Sequence, residues 1–179
     1  MTIIATAFTD DYEEYAKRLR DSVPDEFVFY AHRLPRDSRR WEQYCAMKPS
    51  VIHAGLVPGN DVLWLDADAE IVGDIRPLMD IDADFACYRD HREFRSGTVL
   101  MRRGASELLA SWIRRCGADP MTWDQKHLAD AWHQMDPPPK TEFLHIKYCQ
   151  RINEPNCTEP AVILHHQASR IHRHKNKGG

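Results

Sequence analysis

The sequence predicts an α/β domain in which strands alternate with helices and helices cover both faces of one sheet. Short apolar runs of strand length, such as Val62–Leu65 and Ala161–Leu164, recur along the chain. Between them lie stretches with apolar residues three or four apart, clearest at Ala105, Leu108, Leu109, Trp112, Ile113 and Cys116. No repeat, low-complexity segment or second domain interrupts this order, and 179 residues suffice for one buried core.

Thr2–Phe8 reads as the first strand. A helix follows through Tyr12, Tyr15, Ala16 and Leu19, with Asp10 and Glu13 spaced as a capping box. Phe27–Tyr30 is a second strand after the Pro24-Asp25 turn. Arg33–Arg40 is a basic loop, and Trp41 to Leu56 has helical spacing that Pro49 kinks or breaks. Pro58-Gly59-Asn60 turns the chain into Val62–Leu65, whose four consecutive apolar residues mark a buried strand. Strands are expected again at Asp82–Tyr88 and Phe94–Met101. The helix at 105–116 follows, stopped by Gly117. Thr122 opens the next helix, which ends before Pro137-Pro138-Pro139, and Phe143–Ile146 and Ala161–Leu164 complete the strands.

The buried strand ends in Asp66-Ala67-Asp68. On an extended backbone these acids share a face, with α-carbons ~6–7 Å apart. Carboxylates that converge need a positive partner, and hard oxygen donors make Mg²⁺ or Mn²⁺ the first candidate. Open α/β sheets bind ligands beyond the carboxyl ends of their strands, which adds Phe8–Asp11, Tyr88–Asp90 and His165-His166 to the crevice.

Composition narrows the setting. Five cysteines without a Cys-x-x-Cys pair argue against a disulfide scaffold or a zinc cage and fit a reducing, cytoplasmic home. No run reaches the ~18–20 apolar residues of a membrane span, and Thr2–Phe8 lacks the basic leader of a signal peptide. The net charge of −3 conceals a basic tail, residues 170–179, appended to a domain over 1–169.

Several stretches together resemble nucleotide-sugar glycosyltransferases of the GT-A fold, most closely those of glycosyltransferase family 8. They are Ile3–Phe8, Met47-Lys48-Pro49, Leu63-Trp64-Leu65-Asp66-Ala67-Asp68, Ser96-Gly97, Trp123-Asp124-Gln125 and Ile163-Leu164-His165 followed by Arg170. Their order and spacing carry the resemblance. It implies a single Rossmann-like GT-A domain with a mixed, mostly parallel sheet. It also implies transfer of a sugar from a nucleoside-diphosphate donor, UDP-linked, with Mn²⁺ or Mg²⁺ as cofactor.

Carried onto this sequence, the resemblance gives Asp66, Asp68 and His165 as metal ligands, with His166 as the alternate. Lys48 and Arg170 would meet the diphosphate, Thr6 and Ala7 the nucleobase, and Ser96 and Gly97 the sugar pocket. Asp124 would bind sugar hydroxyls or position the acceptor, and Gln125 would steady the developing oxocarbenium; Thr122-x-x-Gln125 also reads as a capping box. The sequence departs from the family pattern where Arg95 or Ser96 replaces the usual Asn, and in His165-His166-Gln167-Ala168-Ser169-Arg170 at the end. Retention or inversion, oligomeric state and acceptor stay open, the last among glycan, small molecule and modified nucleic acid. Two alternatives stand beside this reading: a non-catalytic sugar-nucleotide or carbohydrate-binding module, and a haloacid-dehalogenase-type phosphatase.

Overall fold

A computed structural model describes residues 1–56, 59–91, 93–154 and 157–168. In chain order the elements are β1 (Thr2–Phe8), α1 (Glu13–Ser22), β2 (Val28–Arg33), α2 (Trp41–Cys45), α3 (Lys48–Leu56), β3 (Asp61–Leu65), β4 (Ala69–Ile71) and α4 (Arg76–Met79). They continue with β5 (Phe85–Asp90), β6 (Glu93–Met101), α5 (Ser106–Ala118), α6 (Asp124–His133), β7 (Thr141–Phe143), β8 (Gln150–Arg151) and β9 (Ile163–His165).

The central sheet has the order β2-β1-β3-β6-β5-β7. β1 pairs in parallel with β2 and β3, β5 with β7 likewise, and β6 alone runs against its neighbours. This is the α/β sheet expected, with one inverted strand beside β3. Both faces of β3 are covered, so its side chains are apolar without alternation. Val62 and Trp64 pack with α3, α5 and α6 through Ile52, Leu109, Trp112 and Leu128. Leu63 and Leu65 pack the other way, with Leu19 of α1, Leu78 of α4 and the small sheet's Ile71 and Ile163. That second sheet, β4-β9-β8, was not anticipated, since its strands are only two or three residues long.

Several local expectations are corrected. Asp10–Tyr12 forms a 3-10 turn ahead of α1, and the Asp10 carboxylate accepts from Arg33 Nε at 2.9 Å instead of capping. The break between α2 and α3 falls before Pro49, which sits in the first turn of α3 where its missing N–H costs nothing. Gly117 lies inside α5, which continues to Ala118. Thr122 caps nothing: α6 starts at Asp124, and the Thr122 N–H turns back to Asp119 Oδ1 at 3.3 Å. Ser96-Gly97 lies inside β6, as the expected strand at Phe94–Met101 has it, opposite a register shift between Cys87 and Tyr88. Ile146 leaves its strand to begin a 3-10 turn.

Candidate functional site

Where β3 ends the chain turns sharply. The Asp66 N–H donates to the Gly97 carbonyl at 2.8 Å, and the Ala69 N–H closes back on the Asp66 carbonyl at 2.8 Å. The two acids therefore converge through a turn rather than through strand alternation. Ligand atoms of Asp66, Asp68 and His165 lie within 4.8 Å of one another.

Each of the three is oriented by its other polar atom. Asp66 Oδ1 accepts from Trp64 Nε1 at 2.9 Å and faces Lys48 Nζ at 2.8 Å. Asp68 Oδ2 accepts the Ala168 N–H at 2.8 Å, and His165 Nε2 meets Thr98 Oγ1 at 3.0 Å. Asp68 Oδ1 and His165 Nδ1 then face each other at 3.9 Å. Two carboxylates and an imidazole, each steadied from behind, suit a divalent ion of Mn²⁺ character. Of the paired histidines only His165 turns toward the acids. His166 directs Nε2 to Glu70 Oε2 at 2.7 Å, the opposite side of the strand.

The electrostatics fit a site built for a cation. Burial works against the charge of Asp68, but hydrogen bonding to His165 and the Ala168 N–H hold it below the ordinary carboxylate range. Burial also opposes a charge on His165; Cys149 and Asp68 beside it outweigh that and push the imidazole up to about 10. The Lys48 ammonium already stands beside Asp66, and a proton on His165 would compete with a metal ion for the face that His165 turns to Asp68.

Gly97 makes this packing possible. A Cβ there would stand 2.8 Å from His165 Cε1 and 3.1 Å from Nδ1, and 3.4 Å from Asp66 Oδ2. Gly97→Ala is expected to push the imidazole off the acids and weaken Mn²⁺ affinity about 10–100-fold, the range typical of disturbed ligand orientation. Electron paramagnetic resonance of free Mn²⁺ in titrations would measure this. Unchanged affinity would mean that His165 is not a ligand.

Beneath the cluster lies a buried ionic centre. Lys48, 6% exposed, places Nζ 2.8 Å from Asp66 Oδ1 and 3.0 Å from Asp124 Oδ2, with the Ser96 hydroxyl and carbonyl at 2.9 and 3.1 Å. Ser96 Oγ donates to Asp124 Oδ2 at 2.6 Å. Burial opposes the Lys48 charge, yet Asp124 and Asp66 raise its pKa well above the usual lysine value. An ammonium has three donors, and four protein oxygens surround this one, so Lys48 is directed at the protein rather than at an incoming phosphate.

Two clefts meet at these residues. One, of about 680 Å³, is largely apolar and aromatic, walled by Phe8, Tyr12, Leu34, Trp41 and Tyr44. The other, of about 710 Å³, is polar, with Arg95, Ser96, Gly97, Gln125, Arg151 and His165 on its walls. Trp41, Cys45, Lys48, Asp66 and Asp68 belong to both. The loop before α2 is fastened over the aromatic cleft. The Tyr44 hydroxyl accepts the Asp37 N–H at 2.9 Å, and Arg36 pairs with Asp11 at 2.7 Å.

The fold thus brings Asp66, Asp68, His165, Lys48, Ser96, Gly97, Asp124 and Gln125 to one place. Ala7 lines the aromatic cleft, but Thr6 does not. Its side chain is fully buried and its hydroxyl has no hydrogen-bond partner among the described residues. Arg170 and the basic tail lie outside the described residues. Sequence reasoning did not single out Tyr12, Leu34, Trp41 and Tyr44 for the site. Their spacing signals only a helix face or a loop, and tertiary packing makes them a wall. Arg95 is likewise part of the site, held by Glu154 at 2.7 and 3.1 Å and set over the Tyr88 ring at 4.8 Å.

No protein-family model matches the sequence, and no curated protein matches it significantly. Solved structures do. A glycosyltransferase involved in the glycosylation of the major capsid of PBCV-1 superposes with a TM-score of 0.75 at 14% identity, covering 98% of each chain. GlyE of Streptococcus pneumoniae gives 0.63 at 15% identity over 91% of this chain, which spans only 53% of that one. The galactosyltransferase LgtC, in complex with donor and acceptor sugar analogs, gives 0.57 at 14% identity, over 92% of this chain and 86% of its own. The fold is therefore of the GT-A type found in these glycosyltransferases. At these identities it is the fold that is shared.

Proposed function

We propose that the protein is a metal-dependent glycosyltransferase that moves a sugar from a nucleoside-diphosphate sugar, UDP-linked, to an acceptor hydroxyl. The observation that carries this reading is the position of the Asp66–Asp68–His165 cluster at the seam between an aromatic and a polar cleft. A base fits the aromatic side, a sugar the polar side, and the diphosphate the seam between them. The fold it shares with glycosyltransferases supports the assignment.

Asp66, Asp68 and His165 would hold Mn²⁺ or Mg²⁺, which when bound neutralises the departing nucleoside diphosphate. Lys48 acts as a positioning residue, fixing Asp66 and Asp124 at once. Asp124 Oδ2 is engaged by Lys48 and Ser96, so Asp124 serves as an oriented acceptor for sugar hydroxyls rather than as a free base. Gln125, on the polar wall, would steady the developing charge on the sugar through its amide oxygen. Family 8 is the relationship at which this arrangement is aimed. Arg170 remains the proposed second phosphate contact. The cysteines are unpaired among the described residues and no described helix is long and apolar enough to cross a membrane; a cytoplasmic setting is our reading of both.

Titration calorimetry of UDP with and without Mn²⁺ tests the donor site, with binding expected only when the metal is present. Release of UDP from UDP-sugars then separates a transferase from a binding module. Metal-independent binding, or none, would remove the proposal. The phosphatase alternative needs its nucleophilic Asp after the first strand, whereas Asp66 follows the third.

A further inference from the structure

We propose that the groove beside α6 is the acceptor site and that it takes a neutral saccharide whose ring stacks on Trp123. This rests on the transferase reading above and extends it to the second substrate.

A groove of about 1210 Å³ runs along the outer side of α6, lined by Glu93, Trp123, Gln125, Lys126 and Asp130 among others. Gln125 is also a wall of the polar cleft, so the two spaces adjoin at that side chain. An acceptor hydroxyl has to approach the donor's anomeric carbon to within ~3–3.5 Å, and this groove shares its Gln125 wall with the polar cleft where the donor sugar would lie.

Trp123 supplies the second observation. The residue is 51% exposed, although it directly precedes a helix packed into the core. The indoles of Trp64 and Trp112, which are buried, and of Trp132, which is partly buried, each donate Nε1–H to a protein oxygen. Trp123 makes no such bond among the described residues, while its carbonyl is fixed by the Lys126 and His127 N–H groups at 3.0 and 3.2 Å. The backbone is anchored and the ring is left to solvent. A half-exposed indole on an anchored backbone, in a groove that also offers Phe94 and Ala129 and the polar groups of Gln125, Glu93 and Asp130, matches the apolar C–H face of a pyranose, with its hydroxyls reaching those polar groups.

Charge favours a neutral ligand. Among the described residues the ionisable groups of the lining are Glu93, Lys126, Asp130 and His133, and Lys126 is paired with Asp130 at 2.7 Å, so the wall holds no cluster of free cations for a polyanion. Carboxylates accept from sugar hydroxyls and repel phosphates and sulfates.

The test uses the full chain, indole-¹⁵N-labelled, with methyl glycosides of glucose, galactose and mannose as neutral probes and heparin as the polyanion. We expect a methyl glycoside to bind at millimolar concentration and shift the Trp123 indole resonance. Trp123→Ala should weaken that binding by about tenfold or more, Trp123→Phe by less, as for an aromatic anchor at a binding centre. Melting temperature and Mn²⁺-dependent UDP affinity serve as fold controls. The proposal is overturned if no methyl glycoside binds, if Trp123→Ala binds as the parent does, or if heparin binds in preference. Saccharide binding at Trp123 without Mn²⁺-dependent UDP binding would uphold the groove and sink the donor reading, so the two failures are distinct.

Discussion

Replacing Asp66 and Asp68 together with alanine is expected to abolish Mn²⁺-dependent UDP binding while leaving a folded protein. Disturbing the residues behind a metal ligand typically costs about 10–100-fold in affinity. Removing two of three ligands should therefore exceed ~100-fold and take binding out of the calorimetric range. The fold should survive because the loss is confined to a few hydrogen bonds where β3 ends, the Trp64 Nε1–H being the one buried donor left without its acceptor. Asp66 is partly exposed, and Lys48 keeps Asp124 and both oxygens of Ser96 when it is lost. Asp68 contributes a hydrogen bond to the Ala168 N–H at 2.8 Å and the contact with His165 at the cluster itself. Far-ultraviolet circular dichroism and a thermal melt check the fold; titration of UDP with Mn²⁺ checks the site. If the double variant still binds UDP in a metal-dependent way, the cluster is not the metal centre.

Lys48→Met should have the larger effect on stability. The Lys48 ammonium and the Asp124 carboxylate, 6% and 7% exposed, are 3.0 Å apart, where opposite charges attract by about 5 kcal/mol at an effective dielectric near 20. Methionine keeps the apolar stem but leaves Asp124 buried with only the Ser96 hydroxyl for company. Breaking a buried pair from one side typically costs about 3–5 kcal/mol, because the remaining charge is uncompensated. Adding Asp124→Asn to Lys48→Met should recover much of that loss, since no buried charge then remains. Urea denaturation of the parent, single and double variants measures both steps. A single variant within about 1 kcal/mol of the parent would show that the centre is solvated rather than buried. The same series reports on function: if Lys48 only positions Asp66 and Asp124, the double variant should regain stability without regaining donor chemistry.

The residues of the candidate site were legible in the sequence to different degrees. Asp66 and Asp68 were visible because an apolar strand ending in two acids is a local signal, and Lys48, Ser96, Gly97, Asp124, Gln125 and His165 because their order along the chain resembles a family. The reasons for their roles were not visible. Lys48 read as a phosphate ligand, but the oxygens around it come from Asp66, Ser96 and Asp124, on three separate elements. Gln125 was open between helix cap and site until α6 proved to start without a side-chain cap. The aromatic wall of Tyr12, Trp41 and Tyr44 carried only the spacing of helix faces.

By itself the sequence determined the α/β class, the long strands and the acidic end of β3, because burial on both faces writes itself as unbroken apolar runs. Tertiary structure alone decided how the acids converge, which histidine joins them and what Gly97 is for. Those outcomes depend on distances of a few ångströms between β3, β6 and β9. A turn at Asp66, a one-residue alternation at His165-His166 and a missing Cβ at Gly97 set those distances, and no single stretch of chain contains all three.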